Sequence, residues 1–158
     1  MATETKGVDA WLLKIDSAMK VAVGQHELIH IVDKPEYMCI PQAPEHCSDV
    51  IIWNKHIVPV MNLSLLGATE SVEADSEFIV AILAYVDEHG EYVYGGIKLH
   101  NIPEHCRVQN SQQCQLPESF DQWGNISLSC FRSEKVNVVP IIDIARLFSV
   151  NLSNYALN

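Results

Sequence analysis

The chain has no cluster of lysine and arginine. Its 10 basic residues are scattered among 20 acidic ones, and the formal net charge is −10. A nucleic-acid surface works by releasing phosphate counterions from a basic face, so nucleic acid is not an expected partner. The N-terminal residues MATETKGVDA lack the basic stretch and apolar segment of a signal peptide. The longest apolar run, Phe78 to Val86, is too short to cross a bilayer as a helix. A cytoplasmic protein without membrane insertion is therefore expected. Five cysteines (Cys39, Cys47, Cys106, Cys114 and Cys130) form an odd set with no Cys-x-x-Cys spacing, which argues against a disulfide framework and fits a reducing compartment. No Gly-x-Ser-x-Gly elbow and no glycine-rich phosphate loop is present; the isolated pair Gly95-Gly96 reads as a bulge within a strand.

What is there is a folded chain of 158 residues, 48% of them apolar, enough for one ordinary domain or two very small fused ones. An internal repeat organises it. Ile57-Val58-Pro59-Val60-Met61-Asn62-Leu63-Ser64-Leu65-Leu66 aligns without a gap with Val138-Val139-Pro140-Ile141-Ile142-Asp143-Ile144-Ala145-Arg146-Leu147, at an offset of 81 residues. Val and Ile favour strands. A proline within such a run predicts an edge strand or a bulge. The following Asn62 or Asp143 is a good N-cap for one helical turn. Upstream, Val50 to Trp53 and His56 to Val58 flank Asn54-Lys55, which predicts a tight hairpin because Asn tolerates positive φ. In the second half, Asn125 to Leu128 and the longer polar turn Arg132-Ser133-Glu134-Lys135 take the same places. Trp11 to Ile15 and Phe78 to Val86 open the two halves, and Asp87-Glu88-His89-Gly90 is a turn leading into a strand at 91–99. Residues 67–77, small and acidic, read as a linker. The expectation is an all-β chain of two small packed barrels, with halves at about 10–68 and 78–150 in a single domain spanning 1–158.

These residues, in this order, resemble the CheW family from about Trp11 to Phe148. Ile40-Pro41-Gln42-Ala43-Pro44, the apolar run from Val50, the VPV segment with its following Leu and Gly67, and the closing PIIDIARLF carry the resemblance. It implies two five-stranded, SH3-like barrels with short helical turns. It also implies a non-catalytic adaptor that couples chemoreceptors to a CheA-type histidine kinase in chemotaxis or twitching motility, without cofactor or metal. The implied partners are the kinase's regulatory domain and the receptor's cytoplasmic tip, at membrane-associated receptor arrays; the sequence leaves the oligomeric state open, with a monomer expected for the chain alone. Departures occur at polar positions. Asn54-Lys55 replaces the family's usual Arg-Gly turn, Asp49 its Gly, Asn62 its Asp, and Leu28-Ile29-His30-Ile31 its Glu-bearing first helical turn. They suggest a divergent, pilus-type adaptor resembling PilI or ChpC. The expected partner-binding residues are Leu28, His30 and Ile31 on that turn, and Trp53, Asn54, Lys55 and His56 on the hairpin.

Two other chemistries compete with this reading. Pro-Glu-His-Cys occurs at 44–47 and again at 103–106, so four His and Cys side chains could make a zinc site or serve a small metal- or thiol-dependent enzyme. The tetrads differ by 59 residues, not by the repeat's 81, and adjacent His and Cys point apart on a strand. Buried, inert cysteines and no catalytic residue are therefore expected. Trp53 has two readings, a plug of the barrel core or an exposed interface anchor.

Overall fold

The computed structural model describes residues 7–15, 19–65, 78–116, 126–132 and 138–149. The expected linker 67–77, Asn125 and the turn residues Ser133 to Lys135 lie outside them. Among the described residues there are eleven strands: β1 Val8–Lys14, β2 Lys20–Gly24, β3 Leu28–Val32, β4 Met38–Cys39, β5 Asp49–Trp53, β6 His56–Met61, β7 Ile79–Val86, β8 Tyr92–Leu99, β9 Glu104–Val108, β10 Ser127–Arg132 and β11 Val138–Ile142. A short α-helix, α1, spans Ile144–Ser149. The chain is all-β in two sheets, as expected. The first sheet runs β10-β11-β2-β1-β9 and the second β3-β7-β8-β6-β5-β4.

Sheet membership does not follow the halves 10–68 and 78–150. Read from β5, the second sheet is β5-β6-β8-β7-β3, position for position the order β10-β11-β2-β1-β9 of the first. The opening hairpin of each repeat has changed places: β1 and β2 pair with strands of the second repeat, and β7 and β8 with strands of the first. Each exchanged hairpin joins its sheet by a short parallel ladder, Ile141 to Ala22 in one and Val60 to Gly96 and Met61 to Ile97 in the other. The crossing from β2 to β3 takes three residues. Glu27 Oε1 accepts the Gly24 amide at 2.7 Å, while the Glu27 carbonyl accepts from Ala84 of the second sheet.

Core composition explains why the exchange is stable. On β7, Val80 and Ile82 point into the second barrel while Ala81 and Leu83 point into the layer between barrels. Hairpin β1–β2 does the same, with Leu12 and Ala22 inside the first barrel and Leu13, Val21 and Val23 in the shared layer. Both faces of these hairpins are covered, which their near-continuous apolar sequence reflects. Among the described residues the shared layer holds 15 buried side chains, against five inside the second barrel and three inside the first. Most of the burial that drives folding therefore lies between the barrels.

Three local expectations need correction. Pro59 and Pro140 are not on edge strands: β6 lies between β8 and β5, and β11 between β10 and β2. Each parallel ladder begins at the residue after the proline, so the missing N–H falls where neighbouring pairing starts. Gly95-Gly96 is not a bulge, because β7 and β8 stay in register from Ile79–Leu99 to Val86–Tyr92. A Cβ on Gly95 would run into the Phe148 ring of α1, and one on Gly96 would come within 2.8 Å of Val80. The pair makes room for close packing. Leu28 to Ile31, expected as a helical turn, is strand β3. Its pairing with β7 slips between Leu28 and His30, which leaves Ile29 and His30 both exposed.

At the start of α1 the cap agrees with the sequence, since Asp143 Oδ1 accepts the Arg146 amide at 3.1 Å. Asn62 Oδ1 accepts the Ser64 hydroxyl at 2.6 Å, a side-chain contact rather than an amide cap. Gly90 has φ +79°, with Asp87 Oδ1 accepting the amides of His89 and Glu91. Because residues 1–68 hold only two strands of the first sheet and four of the second, and residues 78–158 three of the first and two of the second, the two halves made as separate chains should each be unfolded by circular dichroism. Mixing them should restore a cooperative melting transition.

Candidate partner-binding surface on the second barrel

Hairpin β5–β6 is closed by two residues, with Trp53 paired to His56 across the turn. Asn54 and Lys55 have φ of 49° and 67°, the doubly left-handed turn that matches strand twist. Along β5 the side chains alternate: Ile51 is buried, Ile52 exposed and Trp53 half-buried. The two faces of the hairpin therefore do different things.

The inner face closes one end of the barrel. The Trp53 ring meets Tyr94 of β8 edge-on at 5.3 Å and 72°, and lies 5.7 Å from the His30 ring of β3. His56 sits 5.0 Å from Tyr94 on the same end. Trp53 also packs on the barrel core of Ile51, Val58, Val60, Val80 and Ile82. It is thus a plug with an open edge, and the two readings of this residue are combined. Of the expected residues, His30, Trp53, Asn54, Lys55 and His56 come together here. Leu28 and Ile31 do not, because they turn into the layer between barrels. Tyr94 was missed; its only signal was alternation in the run 92–94, which gives no clue to which barrel end it reaches.

The outer face is apolar and open to solvent. Ile52 and Ile57 are direct cross-strand partners, 64% and 72% exposed. Two residues further along, Val50 pairs with Pro59 on one side and with Met38, 45% exposed, on the other. Same-face alternation places these five side chains on one strip. An exposed Ile–Ile pair beside Met and Pro has no role in the core and is the composition of a contact surface. Beneath this strip, Asp49 of β5 accepts from Lys98 Nζ at 2.6 Å, with the side chains only 23% and 13% exposed. The same ammonium lies 4.5 Å over the Tyr37 ring. Burial, with Asp49 adding to it, pushes the Tyr37 hydroxyl up to about 12. The unexpected aspartate at position 49 thus ties β5 to β8 through an ion pair.

No group of three His, Cys, Asp or Glu among the described residues is arranged to hold a metal. The two Pro-Glu-His-Cys tetrads adopt different structures. Glu45 to Cys47 form a 3-10 turn whose Cys47 lies in the shared core, and burial lowers the pKa of His46. His105 and Cys106 are on β9, with His105 3.5 Å from Asp9 and edge-on to Trp11 at 5.5 Å. The cysteines are not uniformly buried as expected: Cys39 is exposed, and Cys106 and Cys114 are partly so. No helix among the described residues is long and apolar enough to cross a membrane.

A CheW-like domain profile matches residues 12–152. The chain belongs to the CheW-like domain family. Its fold is similar to that of the scaffolding protein TtCheW from Thermoanaerobacter tengcongensis, with a TM-score of 0.71 at 15% identity, covering 92% of this chain and 95% of that one. No curated protein matches the chain by sequence. In this CheW-like chain the two sheets are the family's paired SH3-like barrels, the second extended by the two-residue strand β4. The altered turn Asn54-Lys55 keeps the hairpin geometry but holds a lysine at positive φ. Lys55→Gly should raise stability by about 0.5–1 kcal/mol in denaturant titration, since glycine adopts that conformation without the side-chain clash. Trp53→Ala should cost about 2–3 kcal/mol in the same measurement, because it empties part of the barrel end.

Proposed function

We propose that this chain is a non-catalytic adaptor that couples chemoreceptors to a CheA-type histidine kinase in chemosensory signalling. The single observation that carries this reading is the exposed, cross-strand Ile52–Ile57 pair on a rigid hairpin. Apolar side chains held on a strand pair lose little freedom when a partner covers them. The hairpin residues Trp53, Asn54, Lys55 and His56, with His30 beside them, form the rim of the same contact. Leu28 and Ile31 contribute from beneath, by fixing β3 against the shared core. The regulatory domain of the kinase is the proposed occupant of this strip and the receptor's cytoplasmic tip the second partner. The site of action is the cytoplasm, at receptor arrays.

Such an adaptor acts through geometry. A scaffold contacting two partners shifts the kinase only by the difference in its contacts with the two kinase states. The two barrels, joined by their shared layer, move as one unit and can transmit such a difference. The polar departures at positions 30, 49, 54 and 55 support assignment to a divergent, pilus-type system with a twitching output.

Ile57→Glu and Ile52→Glu place a charge on the open face without touching the core. Each should weaken binding to a purified CheA-type regulatory domain at least about tenfold by calorimetry, with an unchanged melting temperature. Wild-type affinity in both variants would remove the strip as the kinase contact.

A further inference from the structure

Cys114 and Cys130 have no part in the adaptor reading, yet they are placed as a reactive pair. Gln113 forms an isolated antiparallel bridge with Phe131 of β10, so Cys114 stands directly opposite Cys130. Their Sγ atoms lie 3.4 Å apart. The Cys114 amide donates to the Cys130 carbonyl at 3.1 Å, and the Cys130 thiol donates to the Cys114 carbonyl at 2.7 Å. Opposed residues of an antiparallel pair have Cα atoms roughly 4.5–5.5 Å apart, within the span a disulfide bridges. The other three cysteines are placed differently: Cys47 lies in the shared core, Cys106 against the core of the first barrel, and Cys39 exposed on β4.

The surroundings suit an anionic reagent. Cys114 lines a surface concavity together with Arg107, Gln109, Ser111, Gln112 and Arg132. The chain has only three arginines and a net charge of −10, yet two of the three line this one concavity. Neither forms an ion pair with a carboxylate among the described residues. Cys130 is 3% exposed and Cys114 partly open, so a reagent meets Cys114 first. Burial and then the neighbouring Cys114 sulfur push the Cys130 thiol up to about 11, so Cys130 is placed to resolve a mixed disulfide rather than to attack first.

We propose that Cys114 and Cys130 are a dithiol modification site that low-molecular-weight anionic disulfides, such as oxidised glutathione, convert to an intramolecular disulfide. Cys114 gives up its proton and its sulfur attacks one sulfur of oxidised glutathione, whose S–S bond breaks and releases one glutathione thiolate. Cys130 then gives up its proton and attacks the Cys114 sulfur, expelling the second glutathione. The protein loses two hydrogens, and one oxidised glutathione becomes two reduced ones. The new bond staples residues 112–114 to the open edge of β10, where Gln112 Nε2 already donates to the Arg132 carbonyl at 3.3 Å. The adaptor thereby acquires a redox-dependent edge.

The test is titration of the full-length wild-type chain with oxidised glutathione in a glutathione buffer, followed by alkylation and peptide mapping. The expected product is a Cys114–Cys130 cross-linked peptide, with Cys47 and Cys106 still alkylated and the reaction reversed by dithiothreitol. Oxidation should also raise the melting temperature by roughly 5–10 °C, because it closes a loop of about 15 residues. Arg107→Ala with Arg132→Ala should slow the reaction with oxidised glutathione about tenfold, and leave the reaction with a neutral cyclic disulfide unchanged. Alkylation of both Cys114 and Cys130 at excess oxidised glutathione would overturn the proposal. So would oxidation confined to Cys39. An equal rate for anionic and neutral reagents in both proteins would overturn the role of the arginines.

Discussion

Neither barrel has enough interior to stand alone, and the rest of the structure follows from that shortage. Small closed sheets of this length enclose a handful of side chains, three in one barrel and five in the other among the described residues. The missing burial is found between them, in a layer to which both barrels contribute. Exchange of the opening hairpins makes that layer unavoidable. A hairpin whose two faces belong to different cores cannot leave either one without exposing both. This coupling also removes the hinge that would otherwise sit between two small units.

The hairpin β5–β6 shows how one sequence segment presents two different faces. Alternation of side chains sends Ile51, Trp53 and Val58 inward and Ile52 and Ile57 outward. The inner set supplies stability and the outer set an exposed apolar strip, so each can change without the other. The positive φ at Asn54 and Lys55 sets the twist that aligns the two faces. The Asp49–Lys98 ion pair beneath fixes the strand from the other side, largely shielded from solvent.

The cysteines separate by environment rather than by spacing. Cys47 and Cys106 behave as small apolar groups in packed cores, which is the ordinary fate of a free cysteine. Cys114 and Cys130 meet only because a segment distant in sequence lays itself along the edge of β10. A gap of 16 positions between them carries no signature, so a linear reading groups them with the rest.

Much was legible without coordinates, because it rests on local physics. Period-two apolar runs, the Asn54-Lys55 turn, Gly90 at positive φ and the Asp143 cap each depend on residues a few positions apart. The repeat at offset 81 disclosed two versions of one unit, and its resemblance to the CheW family disclosed the barrel pair. Tertiary structure alone decided which strands share a sheet. Two equivalent hairpins fit either barrel by their own sequence, and only the joint burial of both faces selects the exchanged arrangement. The same cause places Pro59 and Pro140 inside their sheets, turns Gly95-Gly96 into a site of close approach, and sends Leu28 and Ile31 to the core while His30 joins Trp53. Each of these outcomes depends on a neighbour on another strand or on α1, beyond the reach of local spacing.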